Sequence, residues 1–358
     1  MPQTQLSPGH GYIVRERLGR GRWKEVYRAV YKQEWHDRAL AVFLRDPSTS
    51  KLLEELKILH RLTEQPPRNV ARIYGPFEGD DGKIYLAEEL LYRPLDALCP
   101  LRSGEQFIRI ARDLCQGLAA LHELQPPLVH RDLKLDNCGV DYTGQAKIFD
   151  LGSVTSEPGS VKGTTLTRAP ELFQPDAQCT TETDVWAVGA VLLALRCQRY
   201  PFVDKSEASN RPQEGPERDR FEEDIRSRAL DPGAEQRLQE RVREIFPLEP
   251  QEILLRMLAF DPTRRPAARQ ASEEWDTLLR SWVRPGKRES ANAQAQAQEL
   301  AAYMRAVLER EVGMSAMQWE RVVKGIEDLL KKVGQAENSE LEVLRARIKE
   351  LRESGELH

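Results

Sequence analysis

The chain has 358 residues, of which 40% are hydrophobic and 31% charged, with a formal net charge of −4. That length supports one large domain or two moderate ones, and the near balance of signs points away from nucleic-acid and membrane-surface partners. No apolar run reaches the roughly 18–20 residues that span a bilayer. No basic-then-apolar leader opens the chain, and the five cysteines are scattered without a Cys-x-x-Cys pair, so reduced thiols in a cytoplasm are expected rather than zinc or disulfides.

Tyr12–Leu18 and Glu25–Ala29 alternate apolar and polar residues around a Gly-containing turn, which predicts a hairpin. Ala39–Leu44 is a third short strand. Leu52, Leu53, Leu56, Leu59 and Leu62 recur at helical spacing and predict an amphipathic helix over Lys51–Leu62. Val70–Phe77 and Lys83–Leu90 complete a five-strand pattern. From about residue 105 helices dominate, beginning with Phe107–Leu124, and the longest apolar run, Ala187–Leu195, reads as a buried helix. The fold class is therefore α+β, a strand-rich lobe followed by a helical one, with a ligand expected at their junction. Residues 203–218, rich in Pro, Glu, Asn and Ser, are expected to form a loop.

A domain boundary is expected near Pro285–Glu289, beyond which strong helix formers dominate. Gly313 can stop one helix, and Ser315 with Gln318 makes a capping box for the next. Leu341, Leu344, Ile348 and Leu351 follow the spacing of a coiled-coil seam over 339–353. This extension, residues 286–358, is expected to serve self-association, to dock a partner, or to pack on the second lobe.

The chemistry-bearing residues fall into an ordered series. Leu18-Gly19-Arg20-Gly21 leads into Trp23-Lys24-Glu25-Val26, and glycines in such a turn let backbone amides approach phosphate oxygens. Downstream, His130-Arg131-Asp132-Leu133-Lys134 runs on to Asn137, and Asp150-Leu151-Gly152 begins 18 residues after Asp132. Gly163-Thr164, Ala169-Pro170-Glu171, Asp184-Val185-Trp186 and Arg265 follow in order. Taken together, the series resembles the eukaryotic-type Ser/Thr protein kinase superfamily over residues 11–283, with a first lobe over 11–92 and a second over 93–283.

The resemblance implies a bilobal kinase-like fold, ATP and Mg²⁺ as cofactors, and a protein substrate. It assigns Asp132 to accept or orient the substrate hydroxyl proton, and Lys134 to neutralise the migrating phosphoryl group. Asn137 and Asp150 would supply the hard oxygen ligands that Mg²⁺ prefers. Leu18, Gly19, Gly21, Val26, Ala41, Glu89 and Leu91 would line the nucleotide site with Lys24. Glu171 and Arg265 would form a buried ion pair, and Asp184 would order the loop around Asp132 by backbone hydrogen bonds. Ser160, eleven residues before Glu171, stands where the superfamily places an activating phosphate, for which Arg131 would be the receptor.

One defining residue is missing. Kinases carry a Val-Ala-x-Lys pattern on the third strand, and here the stretch is Leu40-Ala41-Val42-Phe43. Residues two apart on a strand share a face, so Lys24 shares the ligand-facing side of Val26 and can deliver an ammonium from the neighbouring strand. Lys24 present and Phe43 in place of lysine resemble the with-no-lysine kinase family, although that family carries a small residue at the Phe43 position. Arg45 is the weaker substitute. Glu55, or Glu54 in a shifted register, would pair with the relocated lysine. Glu88 would back the adenine site, or Ala87 after a one-residue shift. Three functions compete: an active protein kinase, a nucleotide-binding pseudokinase acting as scaffold or switch, and, well behind, a small-molecule phosphotransferase.

Overall fold

A computed structural model describes residues 6–20, 24–33, 36–43, 58, 61–64, 66–156, 159–161, 163–212 and 214–282. Gly21, Arg45, Glu54, Glu55 and the helical extension over 286–358 lie outside these residues. Five strands build the first lobe: β1 (Tyr12–Arg20), β2 (Lys24–Tyr31), β3 (His36–Phe43), β4 (Ile73–Glu78) and β5 (Ile84–Glu89). They form one antiparallel sheet in the order β1-β2-β3-β5-β4. The predicted fourth strand starts three residues late, because Val70 leaves it to make a parallel bridge with Ile148 in the other lobe.

The period-two alternation of β3 and β5 sorts their side chains onto two faces. Leu40, Val42, Tyr85 and Ala87 point outward, where Tyr12, Tyr27, Tyr74 and Phe77 cover them. Buried Arg38 belongs to this face, its guanidinium 3.5 Å from the Tyr74 ring centre and 4.2 Å from that of Tyr31. Ala41, Leu86 and Ile73 point the other way and meet Leu121, Leu128, Leu151 and Val154 of the second lobe. This shared apolar cluster joins the lobes.

The second lobe begins with a small sheet of β6 (Arg93–Pro94), β7 (Cys138–Val140) and β8 (Ala146–Ile148). Its core is helical. Helix α1 (Gly104–His122) starts at Ser103, whose Oγ accepts from the Gln106 N–H at 3.2 Å. Two residues each of β9 (Gly159–Ser160) and β10 (Gln178–Cys179) pair antiparallel ahead of α2 (Thr181–Cys197). Helix α2 is buried from Thr183 to Leu195 on every face, as its apolar run requires. Helices α3 (Lys205–Ser209), α4 (Gly215–Ala229), α5 (Ala234–Ile245), α6 (Leu248–Met257) and α7 (Ala268–Trp282) complete the lobe. The loop expected over 203–218 is a correction: it contains α3 and the start of α4. Asp204 and Glu207 form a capping box there that composition alone hides.

Among the described residues no helix is long and apolar enough to cross a membrane. The expected buried ion pair is present: Arg265 Nη1 and Nη2 donate to Glu171 Oε1 and Oε2 at 2.6 and 2.8 Å, while Nε donates to the Ala259 carbonyl at 2.8 Å. The Arg265 side chain is 0% exposed and that of Glu171 26%. Arg265→Met strands a partly buried carboxylate, so unfolding free energy in urea should fall by about 3 kcal/mol, the low end for a broken buried pair because Glu171 keeps some contact with water. A loss below about 1 kcal/mol would mean the pair behaves as a surface bridge.

Candidate active site

The site lies where the cleft face of the β1–β5 sheet meets the loops between α1 and α2. Lys24 heads β2, and the register sets it directly opposite Phe43, with Val26 opposite Ala41. Directly paired residues in an antiparallel sheet share a face, so Lys24, Val26, Ala41 and Phe43 all point toward the second lobe. Val26 and Phe43 pack against the cluster that joins the lobes. Lys24 passes beyond it, and its Nζ donates to Asp150 Oδ1 at 2.6 Å. Both side chains are half-buried, at 21% and 31% exposure.

Asp150 adopts a left-handed backbone, φ 59° and ψ 66°, and caps the short 3₁₀ turn Leu151–Ser153. Burial works to raise its carboxyl pKa. The charge and hydrogen bond of Lys24 oppose it, with smaller help from His130 and Lys134, and the outcome is a value below the usual carboxylate range.

The loop carrying Asp132 is held from beneath. Buried Asp184 accepts from the backbone N–H groups of His130 at 2.6 Å and Arg131 at 2.9 Å, and from His122 Nε2 at 3.1 Å. Arg131 is locked at φ 67°, and its Nε donates to the Ser153 carbonyl at 2.6 Å. Asp132 Oδ1 accepts from both the N–H and the Oγ1 of Thr164 at 3.0 Å. Its Oδ2 accepts from Lys134 Nζ at 3.3 Å and Asn137 Nδ2 at 3.2 Å. Gly163 makes the Thr164 contact geometrically accessible: its φ is +90°, and an added Cβ would lie 2.1 Å from the Arg131 carbonyl oxygen.

At the junction of the lobes Glu89 ends β5. Its Oε1 accepts from Lys147 Nζ at 2.5 Å, and its Oε2 accepts from the Arg72 N–H at 3.0 Å. Burial alone would lower the Lys147 pKa; Glu89 and Asp141 outweigh it and raise the value. Leu91 follows, its Cδ1 3.0 Å from where a Cβ on Gly139 would stand. The face alternation of β5 settles the choice at the back of the cleft. Leu86 belongs to the cleft-side cluster and Ala87 to the outer one, so Glu88, 7% exposed, is the cleft-side residue.

Leu18 is exposed and Gly19 stands beside a bulge in β1. Ser160 sits in β9 opposite Gln178. Lys147 is a participant that motif reading passes over, and Gly163-Thr164 stood in the motif series without an assigned contact to Asp132. The hydroxyl next to a turn glycine was the visible signal for Thr164; Lys147 offers none, since its partner is 58 residues away.

A strand-rich lobe, a helical lobe and a cleft holding two aspartates, two lysines and an asparagine define a protein kinase. The protein kinase domain family matches residues 12–275, and the chain belongs to that family. Serine/threonine-protein kinase WNK2 of Mus musculus is 34% identical over 209 residues, covering 54% of this chain and 9% of that protein. Probable serine/threonine-protein kinase WNK10 of Arabidopsis thaliana is 31% identical over 219 residues, covering 56% and 40%. Serine/threonine-protein kinase pkpA of Phycomyces blakesleeanus is 27% identical over 201 residues, covering 53% and 32%. The chain thus spans less than half the length of these relatives, and the with-no-lysine resemblance stands beside a more general kinase one.

The Asp150 pKa is depressed by folding, so its ion pair contributes stability above about pH 4, the ordinary carboxylate value, and loses it as pH falls through the lower folded value. Lys24→Met removes the foremost lowering influence and leaves burial to act. The Asp150 carboxyl resonance should then titrate at higher pH than in the wild type. An unmoved titration would show that the contact does not persist in solution.

Proposed function

We propose that this chain is an ATP- and Mg²⁺-dependent Ser/Thr protein kinase in which Lys24, on β2, takes the place of the third-strand lysine. The observation that carries the proposal is the 2.6 Å contact between Lys24 Nζ and Asp150 Oδ1, made from the position directly opposite Phe43. A cation is thereby supplied to the cleft without a lysine on β3. The names of the relatives, each a serine/threonine-protein kinase, support the same substrate class.

The donor set suits the cofactors. Asn137 Nδ2 donates to the Asp132 carbonyl and carboxylate, which leaves the amide oxygen as the atom that can face a cation. With an Asp150 carboxylate oxygen, this is a hard oxygen pair of the kind Mg²⁺ takes. Mg-ATP, when bound, supplies the phosphoryl group and part of the charge neutralisation. Asp132 would orient the substrate hydroxyl and accept its proton at a carboxylate oxygen, so that the phosphoryl group of bound Mg-ATP could pass to that hydroxyl with ADP as the leaving group. Lys134 and Lys24 stand on either side as fixed cations that stabilise developing charge. Thr164, by fixing Asp132 Oδ1, orients the carboxylate.

Asp132→Ala and Asp150→Ala should each abolish transfer of labelled γ-phosphate to the protein itself or to a generic acceptor, while the proteins remain folded. Equal turnover by wild type and Asp132→Ala would sink the assignment, and absence of transfer in all of them would favour the pseudokinase.

Lys24→Met should remove nearly all transfer while the protein remains folded, with a fall in thermal stability no larger than the loss of one half-buried ion pair. Because Lys24 and Phe43 are direct cross-strand partners, Lys24→Gly combined with Phe43→Lys moves the ammonium by only one strand spacing, about 5 Å. That double variant should recover measurable transfer, whereas Phe43→Lys alone should not raise it. Full activity in Lys24→Met would reduce Lys24 to a surface residue.

Ser160 is proposed as an activating phosphosite, supported by its place in β9 between the Asp150 turn and Glu171. Mass spectrometry after incubation with Mg-ATP should find phosphate within residues 153–167, and an active enzyme without it would remove the idea.

A further inference from the structure

The transfer chemistry leaves one buried acidic group of the cleft without a task. Glu88 lies on β5, buried, on the cleft side of the sheet. Its direct cross-strand partners are Ala39 on β3 and Ile73 on β4. Neither carries a side-chain donor, and Leu86, two residues back on the same face, is apolar as well. Glu89, next along the chain, is occupied at the junction of the lobes, where it accepts from Lys147 and from the Arg72 N–H. Arg28, across Ala39 on the cleft face, donates to Asp37 at 2.5 Å. Glu88 also has an interaction of its own within the chain. A carboxylate offers about four acceptor positions on its two oxygens, so it can serve a protein partner and a ligand donor together.

The strand register divides the cleft face into rows. Lys24 and Phe43 form the first row, Val26, Ala41 and Leu86 the second, and Arg28, Ala39, Glu88 and Ile73 the third. Successive rows are two residues apart, about 7 Å along the strands. Lys24 and Asp150 set the phosphate end at the first row. A nucleotide extended along the sheet from there brings its base against Val26 and Ala41, and the edge of the base farthest from the sugar reaches the third row. On a purine that edge carries the 6-substituent, an amino group in adenine and an oxo group in hypoxanthine. An ionised carboxylate accepts hydrogen bonds and donates none. It therefore attracts the amino group and repels the oxo oxygen.

We propose that Glu88 selects the base: its carboxylate accepts a hydrogen bond from the 6-amino group of adenine and rejects purines that present an oxygen there. The inference rests on the ATP-dependent kinase reading of the cleft and deepens it by naming the side chain that discriminates between nucleotides. Val26 and Ala41 offer the base only apolar contact, which adenine and hypoxanthine satisfy equally. A polar group held out of water discriminates far more sharply, because the wrong ligand leaves it facing no donor. Burial of Glu88 beside Ala39, Leu86 and Ile73 provides that condition.

The test uses the full chain with Mg²⁺ and titration calorimetry with three diphosphates: ADP, inosine diphosphate and purine-riboside diphosphate. None carries a γ-phosphate, so affinity is read without transfer. The wild type should bind ADP at least tenfold tighter than inosine diphosphate, with the purine riboside, which has hydrogen at position 6, in between. Glu88→Gln keeps the size of the side chain and adds an N–H donor that suits an oxo group, so it should bring ADP and inosine diphosphate within about threefold of each other. Glu88→Leu should lower ADP to the affinity of the purine riboside. Thermal unfolding checks that both variants are folded. A purely structural role for Glu88 would weaken all three ligands alike and leave their order unchanged. Equal affinities in the wild type, or an adenine preference that survives both substitutions, overturns the inference while leaving nucleotide binding intact. If none of the three binds, the ATP-dependent reading fails and the inference falls with it.

Discussion

The contact between Lys24 and Asp150 ties the cleft together, and most of what surrounds it serves to make that contact geometrically available. An ammonium and a carboxylate 2.6 Å apart attract strongly only where water is partly excluded, and both side chains are half-buried. The sheet provides this by pairing Lys24 with Phe43. An apolar ring on β3 packs into the cluster between the lobes and keeps the neighbouring lysine stem over dry surface. The same cation also balances Asp150 when nothing else is bound, since two aspartates facing one cleft would otherwise repel.

A second constraint comes from below. Two non-glycine residues of the site, Arg131 and Asp150, hold positive φ, a conformation that ordinary side chains adopt at a cost. Asp184 offsets this for Arg131 by accepting two consecutive backbone N–H groups, and the Leu151–Ser153 turn follows directly from the Asp150 conformation. His130 joins the two loops: its Nε2 donates to the Phe149 carbonyl at 3.3 Å, and its Nδ1 accepts from the Asp132 N–H at 3.3 Å. Fixed dipoles and charges of this kind need no rearrangement when charge develops, which is what phosphoryl transfer demands of a protein.

The lobes meet through more than the ligand cleft. The Ile148 N–H donates to the Asn69 carbonyl at 2.9 Å, and the Ala71 N–H donates to the Ile148 carbonyl at 2.7 Å. Glu89 reaches Lys147 at the same junction. Gly117 lets α1 approach this seam, since an added Cβ would stand 2.4 Å from the Asn69 carbonyl oxygen. The relative placement of β2 and the Asp150 turn, and hence the reach of Lys24, depends on this junction.

The sequence by itself determined the fold class, a five-strand lobe followed by a helical one, and the series Asp132, Lys134, Asn137 and Asp150, because strand alternation, the apolar run of Ala187–Leu195 and the His130–Asn137 and Asp150–Gly152 motifs are local signals. It also showed that the third strand lacks a lysine and that Lys24 shares a face with Val26. The tertiary structure decided what depends on register between distant strands and on charges brought together from separate segments. It placed Lys24 opposite Phe43 and within reach of Asp150, 126 residues away. It assigned Glu88, and not Ala87, to the cleft side, a choice that a one-residue shift would invert because side chains alternate with period two. It turned part of residues 203–218 from an expected loop into α3 and the start of α4, and set Arg211 and Arg218 beside Asp132. Proline and charge suggest a turn when read along the chain, but Asp204 and Glu207 cap α3 and Arg228 of α4 donates to Glu207, and these contacts outweigh composition once the chain is folded.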